Sequence, residues 1–312
     1  MKFAFVFPGQ GSQAVGMLNA WGDNSEVKKT LDEASEALGE DVAKLIAEGP
    51  AEALSLTTNT QPVMLTAGVA CYRAWLAAGG PEASVMAGHS LGEYGALVAS
   101  GVIAFKDAVP MVRFRAQAMQ DAVPVGTGGM AAILGMDDEA VRQVCADAQA
   151  ATGEVVEAVN YNAPAQVVIA GSKAAVEKAC ELAKAAGAKR ALPLPVSAPF
   201  HSSLLKPASE KLETYLADKV FQAPRIDVIN NVDVTILKDP AAIKNALVRQ
   251  AASPVRWVET VQAMAAQGVT HVVECGPGKV LTGMTKRIHG ELNGLAVYDP
   301  ATLAETLAVI KA

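Results

Sequence analysis

The stretch Val85–Tyr94 reads VMAGHSLGEY. It opens on a short apolar run, part of a strand expected over Ala83–Gly88. Leu91, Tyr94, Leu97 and Val98 then recur at helical spacing, with Gly101 placed to end the helix. Between strand and helix, Gly88-His89-Ser90-Leu91-Gly92 fits G-x-S-x-G, a sharp turn that holds a serine hydroxyl clear of the backbone. A Cβ at either flanking position would crowd that turn, so both flanks are glycine.

Outward from this unit the pattern stays α/β. Lys2–Phe7, KFAFVF, is almost wholly apolar and stops at Pro8-Gly9, as a strand buried on both faces does. Helical patterns follow to about Gly79, with breaks expected near Gly49-Pro50 and Gln61-Pro62. Another helix is expected from about Lys106 to Ala122. The texture changes at Val125–Met130, VGTGGM. Strand-like and helix-like segments then follow in the order βαββαβ within about 70 residues, the ferredoxin-like order. This predicts a small α+β domain over 127–196, inserted in a main domain of 1–126 and 197–312. Arg225–Asn230, Thr270–Cys275 and Leu295–Pro300 read as further strands of the main, mostly parallel sheet.

Composition narrows the function. The chain has 312 residues and is 51% hydrophobic, enough for a large core, while only 5% is aromatic. Small aliphatic side chains of this kind suit helices packed on a buried parallel sheet. The net charge of −6 comes with no basic patch, so no nucleic-acid partner is expected. Cys71, Cys145, Cys180 and Cys275 form no C-x-x-C, and read as buried thiols of a reducing compartment. His271 and Cys275 would lie roughly 13 Å apart on a strand, too far to share a metal. The N-terminal apolar run is too short for a signal peptide, and no stretch of about 18 uncharged apolar residues spans a membrane. The expectation is a cytoplasmic, soluble monomer.

A serine nucleophile needs a base. His89 adjoins Ser90, but neighbours on such a turn point apart, so it reads as a packing residue. His271 opens a strand, at the end away from the turn. His289 ends the charged segment TKRIHG and reads as solvated. His201 remains, after the proline-rich segment that re-enters the main domain, where a cleft would form. No Asp or Glu stands out as a third member, so the acceptor that orients the histidine is expected to be a backbone carbonyl. Gly9-Gln10-Gly11-Ser12-Gln13-Ala14 matches G-x-G-x-x-A, yet the region about 20 residues on reads as helix instead of the second strand of a dinucleotide site. Its glycines instead expose amides at a strand end, where one would serve as an oxyanion donor. Arg113 and Arg115 lie about 200° apart on their helix. Arg115 falls on the apolar face with Met111, Val112, Ala118 and Met119. A cation there needs a partner, either an internal carboxylate or one on a substrate.

The motifs FPGQGSQ, TQP (Thr60–Pro62), GHSLGEY, RAQAMQ, NAPAQVVIAG, PFHSSLLKPA, ASPVRW and ECGPGKVLTG follow one another along essentially the whole chain. This series resembles the malonyl-CoA:acyl-carrier-protein transacylases of bacterial fatty acid synthesis. The resemblance implies an α/β-hydrolase-like core with a ferredoxin-like insertion. It implies Ser90 as the acylated nucleophile, His201 as its base and Arg115 as the clamp for the malonyl carboxylate. Gln10 and Leu91 would supply oxyanion-hole amides, Gln250 the orienting backbone carbonyl, and Gln61 part of the pocket lining. Phe200, just before His201, is expected to leave no room for an α-methyl branch. Malonyl-CoA and acyl carrier protein are the implied partners, with no metal and no cofactor, the CoA thioester being a substrate. One departure is Ala165 in NAPAQ, where the family more often has glycine.

Three other readings stand beside this one. A trans-acting acyltransferase of polyketide synthesis differs only in its carrier. A hydrolase shares the serine turn, although Arg115 argues against simple esters. A non-catalytic carrier-binding module is opposed by the joint presence of Ser90, His201 and Arg115. Neither the grip on the CoA phosphates nor the carrier-docking patch is legible: Lys189-Arg190 and Lys286-Arg287 are no better than other basic pairs.

Overall fold

The computed structural model describes residues 1–196 and 198–312. In chain order the first part holds β1 (Phe3–Phe7), α1 (Ser25–Leu38), α2 (Val42–Glu48), α3 (Ala51–Leu54), α4 (Thr57–Ala77), β2 (Val85–Gly88), α5 (Gly92–Ala99) and α6 (Phe105–Asp121). Then come β3 (Gly128–Leu134), α7 (Asp138–Thr152), β4 (Val156–Ala163), β5 (Gln166–Ser172), α8 (Lys173–Ala185) and β6 (Arg190–Pro193). The chain closes with α9 (Lys206–Leu216), β7 (Asp227–Val228), α10 (Pro240–Gln250), α11 (Trp257–Ala266), β8 (His271–Cys275), α12 (Val280–Ile288), β9 (Asn293–Val297) and α13 (Pro300–Lys311).

Two sheets result. The larger is parallel throughout, in the order β7-β2-β1-β8-β9. β1 lies at its centre with both faces covered, which is why all five of its residues are buried. Phe3, Phe5 and Phe7 enter the cluster built on α4, where Phe5 meets Tyr72 and Trp75 edge-on, each at 5.5 Å between ring centres. Ala4 and Val6 face the other way, toward Trp257, Val261 and Met264 of α11. From β1 the chain builds outward on one side through β2 and β7, then on the other through β8 and β9. The loops leaving the carboxyl end of β1 and its neighbours therefore diverge, and a crevice opens there.

The smaller sheet is antiparallel, ordered β4-β5-β3-β6, and its elements follow the expected βαββαβ succession. α7 and α8 pack on one face, where Ile133 and Ile169 meet Val144, Ala148 and Val176. The other face presents Met130, Val159, Val168 and Ala170, with Phe200 against them.

Three expectations about elements need correction. α4 runs unbroken through Gln61-Pro62. Pro62 lies in its second turn, where only one backbone bond is forgone, and burial of that stretch holds the helix. The strand expected over Arg225–Asn230 is shorter, Asp227–Val228; Ile229 still donates to the Met86 carbonyl but bridges Ile236, because Asn230 turns the chain back by bonding Thr235. The strand expected over Leu295–Pro300 ends at Val297, because Asp299 caps α13 in a reciprocal capping box and Pro300 takes its first position.

Ala165 forms the turn between β4 and β5 with a φ of 58°, in the left-handed region where glycine is usual. Glycine would adopt that conformation without strain. Ala165→Gly should raise stability by about 0.5–1 kcal/mol, strain relief outweighing the added freedom of the unfolded chain. A lower urea midpoint for the variant would contradict this.

Among the described residues, no helix is long and apolar enough to cross a membrane and no group of His, Cys, Asp or Glu is placed to hold a metal. The four cysteines are free and buried.

Candidate active site

β2 delivers Ser90 to the crevice at the carboxyl end of the parallel sheet. Its φ of 52° is left-handed, a strained value for serine. The flanking glycines are required by contact. A Cβ on Gly88 would stand 1.9 Å from the carbonyl of Gly92, and one on Gly92 would stand 2.0 Å from the carbonyl oxygen of Phe7. Asn231 braces the turn from the far side: Oδ1 accepts from the Ser90 N–H at 2.8 Å, and Nδ2 donates to the Gly88 carbonyl at 2.7 Å.

His201 approaches from the segment after β6 and is also left-handed, with a φ of 66°. Its Nε2 lies 2.6 Å from Ser90 Oγ and its Nδ1 lies 2.8 Å from the Gln250 carbonyl. A carbonyl only accepts, so Nδ1 carries the proton and Nε2 presents its lone pair to the serine hydroxyl. The ring is 3% exposed. Burial, and next the positive charge of Arg115, push its pKa down to about 3, so the imidazole is neutral.

Arg115 is 1% exposed on α6. Nη1 donates to Gln61 Oε1 at 2.7 Å, while Nη2 donates to Gln250 Oε1 at 2.9 Å and to Ser90 Oγ at 3.1 Å. The guanidinium also lies over the Tyr94 ring, 5.4 Å from its centre. Its hydrogen-bond acceptors are all neutral, and no ion pair joins it to a carboxylate among the described residues. The internal ion pair weighed for Arg115 is not formed; it is Arg113 that pairs, at the surface, its two Nη atoms gripping the exposed Glu40 at 2.8 and 2.9 Å.

The loop after β1 lies against the serine turn, close enough that a Cβ on Gly9 would stand 2.6 Å from the His89 carbonyl oxygen. Gln10 is anchored there by Thr57, whose hydroxyl donates to Gln10 Oε1 at 2.7 Å. Among the described residues the N–H groups of Gln10 and Leu91 donate to no protein acceptor. Leu91 caps α5, where a free N–H is the normal state of a helix start. Phe200 is half-buried, between Leu205 and Met119 on one side and the inner face of the smaller sheet on the other. His89 packs on Trp257 and bonds Asn162 at 2.7 Å, and His271 sits at the start of β8. His289 is half-buried with Nδ1 unpartnered among the described residues, unlike the solvated side chain expected.

Three features escaped the sequence reading. Asn231 carried no motif. Glu93 was passed over, although a carboxyl on an apolar helix is the same signal that marked Arg115. It is 2% exposed, and its Oε2 accepts from the Asn231 N–H at 3.0 Å and from Gln250 Nε2 at 2.9 Å. Burial pushes its carboxyl up to about 7. The third is the side chain of Gln250, which touches Arg115, Glu93 and the Ser90 carbonyl, the last at 3.0 Å. Gln250 therefore contributes more than a backbone carbonyl. Gln250→Ala should lower turnover by about 10- to 100-fold, because the carbonyl survives while Arg115 and the serine turn lose a shared brace. Near-wild-type turnover would show that the carbonyl alone matters.

Residues 4–302 match the acyl transferase domain family. A malonyl CoA-acyl carrier protein transacylase of Salmonella typhimurium is 56% identical over 307 residues, covering 98% of this chain and 99% of that protein. One from Bacillus subtilis is 47% identical over 311 residues, covering 99% and 98%. Among solved structures, an acyl-carrier-protein S-malonyltransferase from Burkholderia pseudomallei 1710b has a TM-score of 0.97 at 72% identity, covering 99% of this chain and 100% of that one. A malonyl-transacylase in complex with a type II PKS acyl-carrier protein has a TM-score of 0.97 at 51% identity, with coverage of 99% and 100%. The match over nearly all of both chains, together with the serine turn, places this protein in the acyl transferase family, among the malonyl CoA-acyl carrier protein transacylases.

Proposed function

We propose that this enzyme moves a malonyl group from malonyl-CoA to the phosphopantetheine thiol of acyl carrier protein, through an ester on Ser90. The observation that carries the reading is the position of Ser90 Oγ, 2.6 Å from His201 Nε2 and 3.1 Å from Arg115 Nη2. A base and a carboxylate receptor thus converge on one hydroxyl.

In the first half-reaction His201 Nε2 takes the proton of the Ser90 hydroxyl as Oγ attacks the thioester carbonyl. The N–H groups of Gln10 and Leu91 stabilise the tetrahedral oxyanion. Collapse breaks the C–S bond, and His201 returns its proton to the departing CoA sulfur. In the second half, His201 takes the proton of the carrier's thiol, whose sulfur attacks the malonyl-serine ester; the C–Oγ bond breaks, and His201 returns the proton to Oγ, restoring Ser90. Arg115 holds the malonyl carboxylate with its planar fork, Gln61 lines that pocket, and Phe200 limits bulk at the α-carbon. The ester itself carries the acyl group between thiols, so these steps call on no metal or redox group.

The same reading takes 1–126 and 197–312 as an α/β-hydrolase-like catalytic domain, and 127–196 as a ferredoxin-like insertion that walls the crevice. The protein would act as a cytoplasmic monomer. A second carrier class has one observation in its favour: a solved relative is held by a type II PKS acyl-carrier protein.

Incubation with malonyl-CoA should leave a malonyl adduct on the peptide containing Ser90, and adding holo acyl carrier protein should discharge it. An adduct on another residue, or discharge to water as fast as to the carrier, would overturn the assignment. Parallel reactions with fatty-acid and polyketide carriers separate the two readings.

A further inference from the structure

The nucleophile, its base and the carbonyl that orients the base come from three stretches of chain: the turn at Ser90, the turn at His201 and the end of α10 at Gln250. One strand reaches all three. β4 is an edge strand of the smaller sheet, and its free edge faces these segments. Near its start, Glu157 accepts twice from Ser203, two residues beyond His201: the N–H at 2.8 Å and the hydroxyl at 2.7 Å. In its middle, the Val159 carbonyl accepts from the Val255 N–H at 2.8 Å, and the Tyr161 N–H donates to the Val255 carbonyl at 3.1 Å. Val255 lies five residues beyond Gln250. Near its end, Asn162 Oδ1 stands 2.7 Å from Nε2 of His89, the neighbour of Ser90. Register shifts between Ala158 and Asn160 and between Tyr161 and Ala163 re-aim the side chains along this edge.

Ser90 and His201 are both held at left-handed φ values. Such conformations persist only where the surroundings over-determine them. Asn231 braces the Ser90 turn within the main sheet. At His201, both donors of Ser203 are spent on a carboxylate of the smaller sheet.

We propose that β4 is the jig that aligns the catalytic centre, and that Glu157 is a positioning residue that holds the His201 turn through Ser203. The proposal rests on the reading of Ser90 and His201 as nucleophile and base. It gives the smaller sheet a role in acyl transfer besides walling the crevice.

Labelling of the full-length protein by a fluorophosphonate tests it, since that probe reads the reactivity of Ser90 without a malonyl group. Two variants break the tie from opposite sides. Glu157→Ala removes the acceptor. Ser203→Pro removes both donors, at the first position of a short 3-10 turn where a proline fits and after an extended Ser202 (φ −81°, ψ 166°) that tolerates one. Each should lower the maximal labelling rate by about 10- to 100-fold, the scale of a misplacement near 1 Å, with the half-saturating probe concentration unchanged. The double variant should label no more slowly than either single one. Glu157→Gln keeps one carbonyl acceptor and should recover part of the rate.

A wild-type labelling rate in Glu157→Ala would overturn the proposal, as would losses that multiply in the double variant. So would a fall in melting temperature with no change in the rate of the folded protein. If Glu157→Ala does not fold, Ser203→Pro and Glu157→Gln carry the same comparison. Failure of the underlying reading looks different: the wild-type protein would label normally yet form no malonyl ester.

Discussion

His201→Ala should lower the rate of Ser90 acylation on the order of 10⁴- to 10⁶-fold, the range seen when a serine enzyme loses its histidine. The geometry leaves no obvious substitute. Nε2 of His201 lies 2.6 Å from Oγ, whereas His89 packs on Trp257 and its Nε2 is committed to Asn162. Single-turnover acylation with malonyl-CoA is the measurement, because it isolates the step in which Oγ gives up its proton. A loss below about 100-fold would mean that another group serves as base.

The pH dependence follows from the same burial. His201 is held far below the ordinary imidazole value of 6.5, by burial first and by Arg115 second. Acid should therefore leave it neutral, and active, well below the pH at which a free histidine protonates. Stability moves the other way. Below pH 6.5 the unfolded chain binds a proton at this histidine that the folded protein refuses down to about pH 3. The folded state thus loses stability as pH falls through that window. His201→Ala should lose less stability than the wild type between pH 7 and pH 4. An equal loss in both would mean that His201 titrates normally in the folded protein.

Arg115→Ala should lower malonyl transfer by about 10²- to 10³-fold, the cost of stranding a carboxylate in a buried site without its partner. Acetyl transfer should change little or rise. Acetyl has no carboxylate to seat, and removal of the guanidinium lifts one of the causes, second to burial, that hold His201 at low basicity. The wild-type protein is expected to gain the same relief from its own substrate, because a malonyl carboxylate on Arg115 cancels that charge. That charge is buried, with Arg115 only 1% exposed. It sits on Gln61, Gln250 and Ser90, acceptors that bind it without neutralising it. Arg115→Lys should recover only part of the activity, since an ammonium cannot present a planar fork to a carboxylate. The values of kcat/KM for malonyl-CoA and acetyl-CoA on the wild type and Arg115→Ala decide the matter. An equal fall for both substrates would make Arg115 a brace of the site instead of its receptor.

What the chain determines by itself is local. An apolar run that stops at proline and glycine reads as a buried strand. A serine between glycines reads as a strained turn, because only those residue types fit the approach that Gly88 and Gly92 make to neighbouring backbone. A cation on an apolar helix face marks a site, and that reasoning found Arg115. The alternation of strand and helix fixed the two-sheet architecture, while element ends that depend on non-local partners, such as the one set by Asn230, were misjudged. What the tertiary structure alone decided is which distant groups meet. Glu93 and Asn231 joined the serine turn, and the side chain of Gln250 joined Arg115, through hydrogen bonds between segments 135 to 160 residues apart. Sequence spacing holds no trace of such contacts: a buried polar group needs a partner, but physics does not require that partner to be nearby in the chain.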